Sequence, residues 1–147
     1  MGSESSPVAV DVPVEAAWRH LAEDAGSILI DVRTRAEWNF VGVPDLSSLG
    51  KALVLVEWQG FPEGRLNAGF VTELTEKLDE LGAKRDSELF FICRSGARSR
   101  LAAEAMLRAG YGHCRNVAEG FEGPLDSDRH RSSRSGWKAQ GLPWVQS

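Results

Sequence analysis

Glu88-Leu89-Phe90-Phe91-Ile92-Cys93-Arg94-Ser95-Gly96-Ala97-Arg98-Ser99 is the stretch from which the rest of the chain can be read. Leu89 to Ile92 is a short, continuously apolar run, the pattern of a strand buried on both faces of a parallel sheet. From Ser99 to Ala109 the pattern becomes helical, and Gly110 supplies the stop. Ala102, Ala103, Ala105 and Ala109 are small enough to let that helix approach a sheet closely. Cys93 is therefore expected at the carboxyl end of a buried strand, a few residues before a helix. In open α/β sheets ligands bind in that crevice.

Upstream, the same alternation repeats. Val8-Ala9-Val10 reads as a short first strand, and Pro13 suits the first turn of a helix over 13–24, with Val14, Ala17, Trp18 and Leu21 on one face. Ile28 to Val32 is a second buried-strand pattern. Arg35 to Val41 predicts a short helix anchored by Trp38, and Ala52 to Val56 another strand. A turn-rich loop over 58–64 leads to Asn67, an N-cap candidate for a helix carrying Phe70, Val71, Leu74, Leu78 and Leu81 and stopped by Gly82. Cys114 to Val117 predicts the last strand, followed by an irregular tail. Helices alternating with apolar strands predict an α/β fold, a mainly parallel sheet with helices on both faces. Residues 1–7 read as a flexible lead-in and 8–147 as a single domain.

The chain has 147 residues, 42% hydrophobic and 26% charged, with a net charge of −4 from interspersed acids and bases. That balance argues against a protein that coats nucleic acid. Met1 to Val10 has neither a basic nor an apolar signal region, and no apolar run reaches membrane-span length. The two cysteines, Cys93 and Cys114, form no CxxC pair, and the three histidines are scattered. A cytoplasmic protein with reduced thiols is expected, with no metal or organic cofactor and neither nucleic acid nor membrane as partner.

The loop after Cys93 carries the chemistry. Between strand and helix every residue is small or basic, so successive backbone N–H groups can turn toward the sulfur, and Gly96 supplies the required conformational freedom. The positive end of the following helix faces the same point, and Arg94 and Arg98 add full charges. All these features favour thiolate over thiol and would equally stabilise a persulfide anion. An inert core cysteine is the competing reading, because free cysteine is among the most buried residue types.

Cys93 to Ser99 resembles the active-site loop of the rhodanese family, Cys-x-x-Gly-x-Arg-Ser/Thr. Asp31-Val32-Arg33-Thr34-Arg35-Ala36-Glu37-Trp38 is similar to that family's Asp-Val-Arg segment, and Asn116-Val117, Gly120-Phe121, Gly136-Trp137 and Gly141-Leu142-Pro143 to its closing segments. The matches run in order from about residue 8 to 145. The family often has His-Ile-Pro-Gly-Ala after its first motif, whereas this chain has Val41-Gly42-Val43-Pro44-Asp45. The resemblance implies a three-layer fold around a five-stranded parallel sheet. It also implies a thiosulfate sulfurtransferase in which Cys93 is the nucleophile and the backbone of Arg94, Ser95, Gly96, Ala97 and Arg98 cradles the persulfide. Related phosphatases place five residues between cysteine and arginine; here four separate Cys93 from Arg98, which suits sulfur better than phosphate.

The remaining site residues are supporting ones. Asp31 is expected to fix loop backbone or Arg33, and Glu37 to orient Arg98, against the plainer reading that both carboxylates only cap local structure. Trp58 and Phe61 are candidate pocket walls or simple core cover. Cys114 reads as a buried small apolar residue more readily than as a resolving thiol. The segment Asp126 to Arg134 reads as a solvated loop, with a minority reading in which its arginines dock an anionic donor or a partner protein. The expected partners are a small anionic sulfur donor and, as acceptor, cyanide, a thiol or a sulfur-carrier protein. Two other functions fit the same residues: a persulfide carrier without small-molecule turnover, and a non-catalytic interaction or regulatory module.

Overall fold

A computed structural model describes residues 7–146, so the lead-in expected over 1–7 lies, apart from Pro7, outside the described residues. Along the chain run β1 (Val10–Val12), α1 (Val14–Glu23), β2 (Ile28–Asp31), α2 (Arg35–Phe40), β3 (Val43–Pro44), a 3-10 turn (Ser47–Leu49), β4 (Val54–Leu55), α3 (Phe70–Glu80), β5 (Leu89–Ile92), α4 (Ala97–Arg108), β6 (Cys114–Val117) and β7 (Trp144–Val145). Five strands form one parallel sheet in the order β1-β6-β5-β2-β4, while β3 and β7 make a separate antiparallel ribbon. The fold is three-layered α/β.

β5 is central, paired to β2 from Ile28↔Leu89 to Asp31↔Ile92 and to β6 from Leu89↔Cys114 to Phe91↔Asn116. Side chains alternate across a strand, so its residues divide between two cores. Leu89, Phe91 and Cys93 join the core that Phe70, Leu74 and Leu78 of α3 and Ala102, Ala103 and Met106 of α4 close. Phe90 and Ile92 join the core built with Val14, Ala17 and Leu21 of α1 and with Phe121 and Trp137 of the C-terminal segment. This alternation puts Cys93 on the α4 side of the sheet, at its carboxyl end.

Several boundaries differ from the sequence expectation, each for a physical reason. The first strand is Val10–Val12 instead of Val8–Val10, because pairing with β6 (Val10↔Arg115, Val12↔Val117) places it and leaves Val8 exposed. Only Val54–Leu55 of the 52–56 run is strand, since β4 is a sheet edge with β2 as its single neighbour among the described residues. Pro13 is the N-cap of α1, preceding its first turn. Gly69 caps α3, with the Asn67 carboxamide oxygen accepting its N–H. Trp38 is half-buried, and α2 buries no residue completely. That helix is held by polar contacts instead: Thr34 and Glu37 form a reciprocal capping box at its start. The ribbon of β3 and β7 has no counterpart in the sequence pattern.

Candidate functional site

Four segments meet at the carboxyl edge of the sheet: the β2–α2 turn, the loop after β4, the β5–α4 loop and the segment after β6. The β5–α4 loop is tight. Gly96 sits at φ 109°, in the left-handed region, as the N-cap of α4, and a Cβ there would lie 2.1 Å from the carbonyl oxygen of Ala118. α4 begins at Ala97, two residues before the expected start, so its first turn is itself part of the cradle. From outside, the loop is braced by the chain after β6. Phe121 N–H donates to the Cys93 carbonyl at 2.8 Å, and the N–H groups of Glu122 and Gly123 donate to the Arg94 carbonyl. Gly120 allows this approach, since a Cβ on it would come 2.5 Å from the Arg94 carbonyl oxygen.

Three donors converge on the Cys93 sulfur: Gly96 N–H at 3.2 Å, Ser99 N–H at 3.3 Å and the Ser99 hydroxyl at 3.2 Å. The hydroxyl oxygen is also 2.5 Å from Asn116 Oδ1 and 3.2 Å from the Gly96 carbonyl, so its one proton serves the sulfur, the amide or that carbonyl at any moment. Asn116 is oriented by donating through Nδ2 to Asp11 Oδ1 and to the Gly96 carbonyl. Cys93 as a residue is only 1% exposed. Cys114 offers the contrast: its thiol has one long contact, to the Tyr111 carbonyl at 3.6 Å, and burial pushes it up to about 12. Both cysteines are buried, but among the described residues only Cys93 is surrounded by donors.

Glu37 and Arg98 form a two-pronged pair, Nη1 to Oε1 at 2.7 Å and Nη2 to Oε2 at 3.0 Å, linking α2 to α4. Burial alone would push the Glu37 carboxyl up. The Arg98 hydrogen bond, the Thr34 N–H, the charge of Arg98 and the Thr34 hydroxyl outweigh it and bring the carboxyl down to about 2. Arg98 shifts upward, through its hydrogen bond to Glu37 against opposing burial, with the charge of Glu37 adding to the rise.

Asp31 and Arg33 make a fully buried pair, with Asp31 also accepting the Arg33 backbone N–H. Arg33 Nη2 donates to the Gly42 carbonyl, and the guanidinium lies 4.3 Å over the Phe121 ring while Nη1 has no hydrogen-bond partner among the described residues. The Val41 to Asp45 departure thus has a structural use: Gly42 receives Arg33, and Val43-Pro44 pairs with β7.

An open cleft of about 760 Å³ lies beside the cradle, with Phe61, Arg94, Arg98 and Glu37 in its lining. Ser95 and Ala97 are exposed on the loop. Trp58 is not in that lining; it packs edge-on against Phe70, 5.0 Å between ring centres, next to the core that includes Cys93. Sequence reasoning missed Ser99 as a site residue, although it closes the quoted motif, and missed Asn116 and Asp11, while Arg131 falls within the segment whose arginines had a minority docking reading. Among the described residues no three His, Cys, Asp or Glu side chains cluster as a metal site needs.

The family model described as STR4 middle domain matches residues 10–147. The crystal structure of Rv0390 from M. tuberculosis is similar at a TM-score of 0.86 and 45% identity, over 96% of this chain and 100% of that one. The uncharacterized protein RP600 homolog of Rickettsia rickettsii is 37% identical over 128 residues, which are 87% of this chain and 90% of that protein. The chloroplastic protein THYLAKOID RHODANESE-LIKE of Oryza sativa subsp. indica is 28% identical over 145 residues, 99% of this chain and 27% of that protein. The sheet order, the Cys93 loop at its carboxyl edge and these matches lead to one conclusion: the chain belongs to the STR4 middle-domain family, within the rhodanese-like fold.

Proposed function

We propose that this protein is a sulfurtransferase that carries sulfane sulfur as a persulfide on Cys93. The observation that carries this reading is the convergence of Gly96 N–H, Ser99 N–H and the Ser99 hydroxyl on one sulfur atom. Such preorganised donors stabilise negative charge on the attacking thiolate and on the persulfide alike. In the first half-reaction the Cys93 thiolate attacks the outer sulfur of thiosulfate. A new S–S bond forms, the bond within thiosulfate breaks, and its electron pair leaves with sulfite. In the second, an acceptor (cyanide or a thiolate) attacks the outer persulfide sulfur, and the Cys93 thiolate is regenerated. No proton transfer is required in either step, so Asp31 and Glu37 have positioning roles: Glu37 holds Arg98 against the cradle, and Asp31 holds Arg33 and through it the Gly42 backbone. Both cysteines are free, and a reducing cytoplasm would keep them so.

The test is ping-pong kinetics with thiosulfate and cyanide. Parallel lines in double-reciprocal plots, lost in Cys93→Ser, are expected. Thiosulfate consumption by Cys93→Ser at the wild-type rate would refute the role of this cysteine.

A further inference from the structure

The Ser99 hydroxyl differs from the other donors at Cys93 in having a choice. The N–H groups of Gly96 and Ser99 are fixed by the backbone, whereas the hydroxyl rotates and has a single proton to give. Its acceptors are the Cys93 sulfur at 3.2 Å, the Gly96 carbonyl at 3.2 Å and Asn116 Oδ1 at 2.5 Å. The Gly96 carbonyl already accepts from Arg100 N–H and from Asn116 Nδ2. Its lone pairs are taken, which leaves the sulfur and Asn116 as the alternatives.

Asn116 cannot turn its acceptor away from Ser99. It is buried in β6, between Phe91 of β5 and Asp11 of β1. Its Nδ2 faces Asp11 Oδ1 at 3.0 Å and the Gly96 carbonyl at 3.1 Å. A flipped amide would set its oxygen against a carboxylate and a carbonyl, so Oδ1 stays toward the hydroxyl. Arg100 of α4 pairs with the other oxygen of the Asp11 carboxylate and holds it in place.

Resting on the persulfide reading above, we infer that Asn116 is a positioning residue that takes the Ser99 hydrogen bond once Cys93 is loaded, and so favours the loaded cysteine over the free one. In the free protein the negative charge sits on Cys93 Sγ, and the hydroxyl donates there. Attack on thiosulfate forms the new S–S bond, and sulfite leaves with the electron pair of the broken one. The charge then sits on the outer sulfur, while Sγ carries two covalent bonds and is only a weak acceptor. The hydroxyl rotates to Asn116 Oδ1 without releasing its proton. When an acceptor removes the outer sulfur, the charge returns to Sγ and the hydroxyl turns back. Without Asn116 the loaded state would leave a buried hydroxyl unsatisfied, whereas the free state would keep its bond to sulfur.

The experiment measures the loading equilibrium, Cys93 thiolate plus thiosulfate against persulfide plus sulfite. The loaded fraction is read by intact mass over a series of sulfite-to-thiosulfate ratios. Asn116→Leu keeps the bulk and removes the amide; Asn116→Ala, which leaves space instead, is measured beside it, and a folded circular dichroism spectrum qualifies either one. The equilibrium constant is expected to fall by about tenfold, the scale of one hydrogen bond at a buried group. In a Ser99→Ala background the same substitution should change it by about twofold or less, because no hydroxyl remains to redirect. A constant unchanged in the folded variant overturns the inference. So does an equal fall with and without the Ser99 hydroxyl, which is what a merely structural Asn116 would give. Wild type that takes up sulfur at no ratio refutes the persulfide reading instead.

Discussion

At the scale of single residues, the two cysteines are alike in burial and differ in their hydrogen-bond donors. Cys114 lies in the same apolar core as Cys93 and lacks donors, so desolvation raises its thiol unopposed. Ser99→Ala removes the hydroxyl donor and leaves both backbone N–H groups in place. It should slow sulfur loading by about tenfold, a typical loss for one hydrogen bond to charge, and stopped-flow measurement of sulfite release checks it. Glu37 gives a pH signature. Its folded value of about 2 lies below the ordinary 4.5, so the stability it contributes is complete above about 4.5 and disappears as pH falls through about 2. Glu37→Gln should cost about 1–3 kcal/mol at neutral pH. In urea titrations at successive pH values, the gap between wild type and variant should close as the solution is acidified.

At the scale of elements, the cradle depends on a helix that starts inside the loop. Gly96→Ala would force a Cβ against the Ala118 carbonyl and a side chain into a left-handed conformation. It should lower stability by about 3 kcal/mol or more and abolish loading, checked by thermal melting and a thiosulfate assay on the folded fraction. Thr34→Ala, which breaks the α2 capping box, should cost about 0.5–2 kcal/mol and loosen Glu37. Much of this level was legible in the sequence. Buried central strands announce themselves as apolar runs, and the spacing of Phe70, Leu74 and Leu78 marks the face of α3. The start of α4 was not legible, because its N-cap is a glycine without a capping side chain. Nor was the role of Asn116, which reaches Ser99 only because β5 and β6 pair in the register Phe91↔Asn116. The β3–β7 ribbon has two residues on each side and no pattern of its own, so long-range packing specifies it.

At the scale of the whole molecule, the C-terminal third closes one core and braces the site at once. Trp137 is fully buried, stands edge-on to Trp18 with 5.7 Å between ring centres, and donates its indole N–H to the Pro143 carbonyl. Its backbone N–H donates to the Gly120 carbonyl, beside the residues that hold the Cys93 loop. Trp137→Ala should therefore cost about 3–5 kcal/mol in chemical denaturation and also impair sulfur loading in the protein that remains folded. No helix among the described residues is long and apolar enough to cross a membrane. The central claim, that Cys93 accepts and holds sulfur, is tested most directly by intact-mass analysis after thiosulfate exposure, with Cys93→Ser alongside. Wild type should gain the mass of one sulfur atom, lose it again on addition of cyanide, and the variant should gain nothing. An unchanged wild-type mass, or an equal gain in Cys93→Ser, would contradict it.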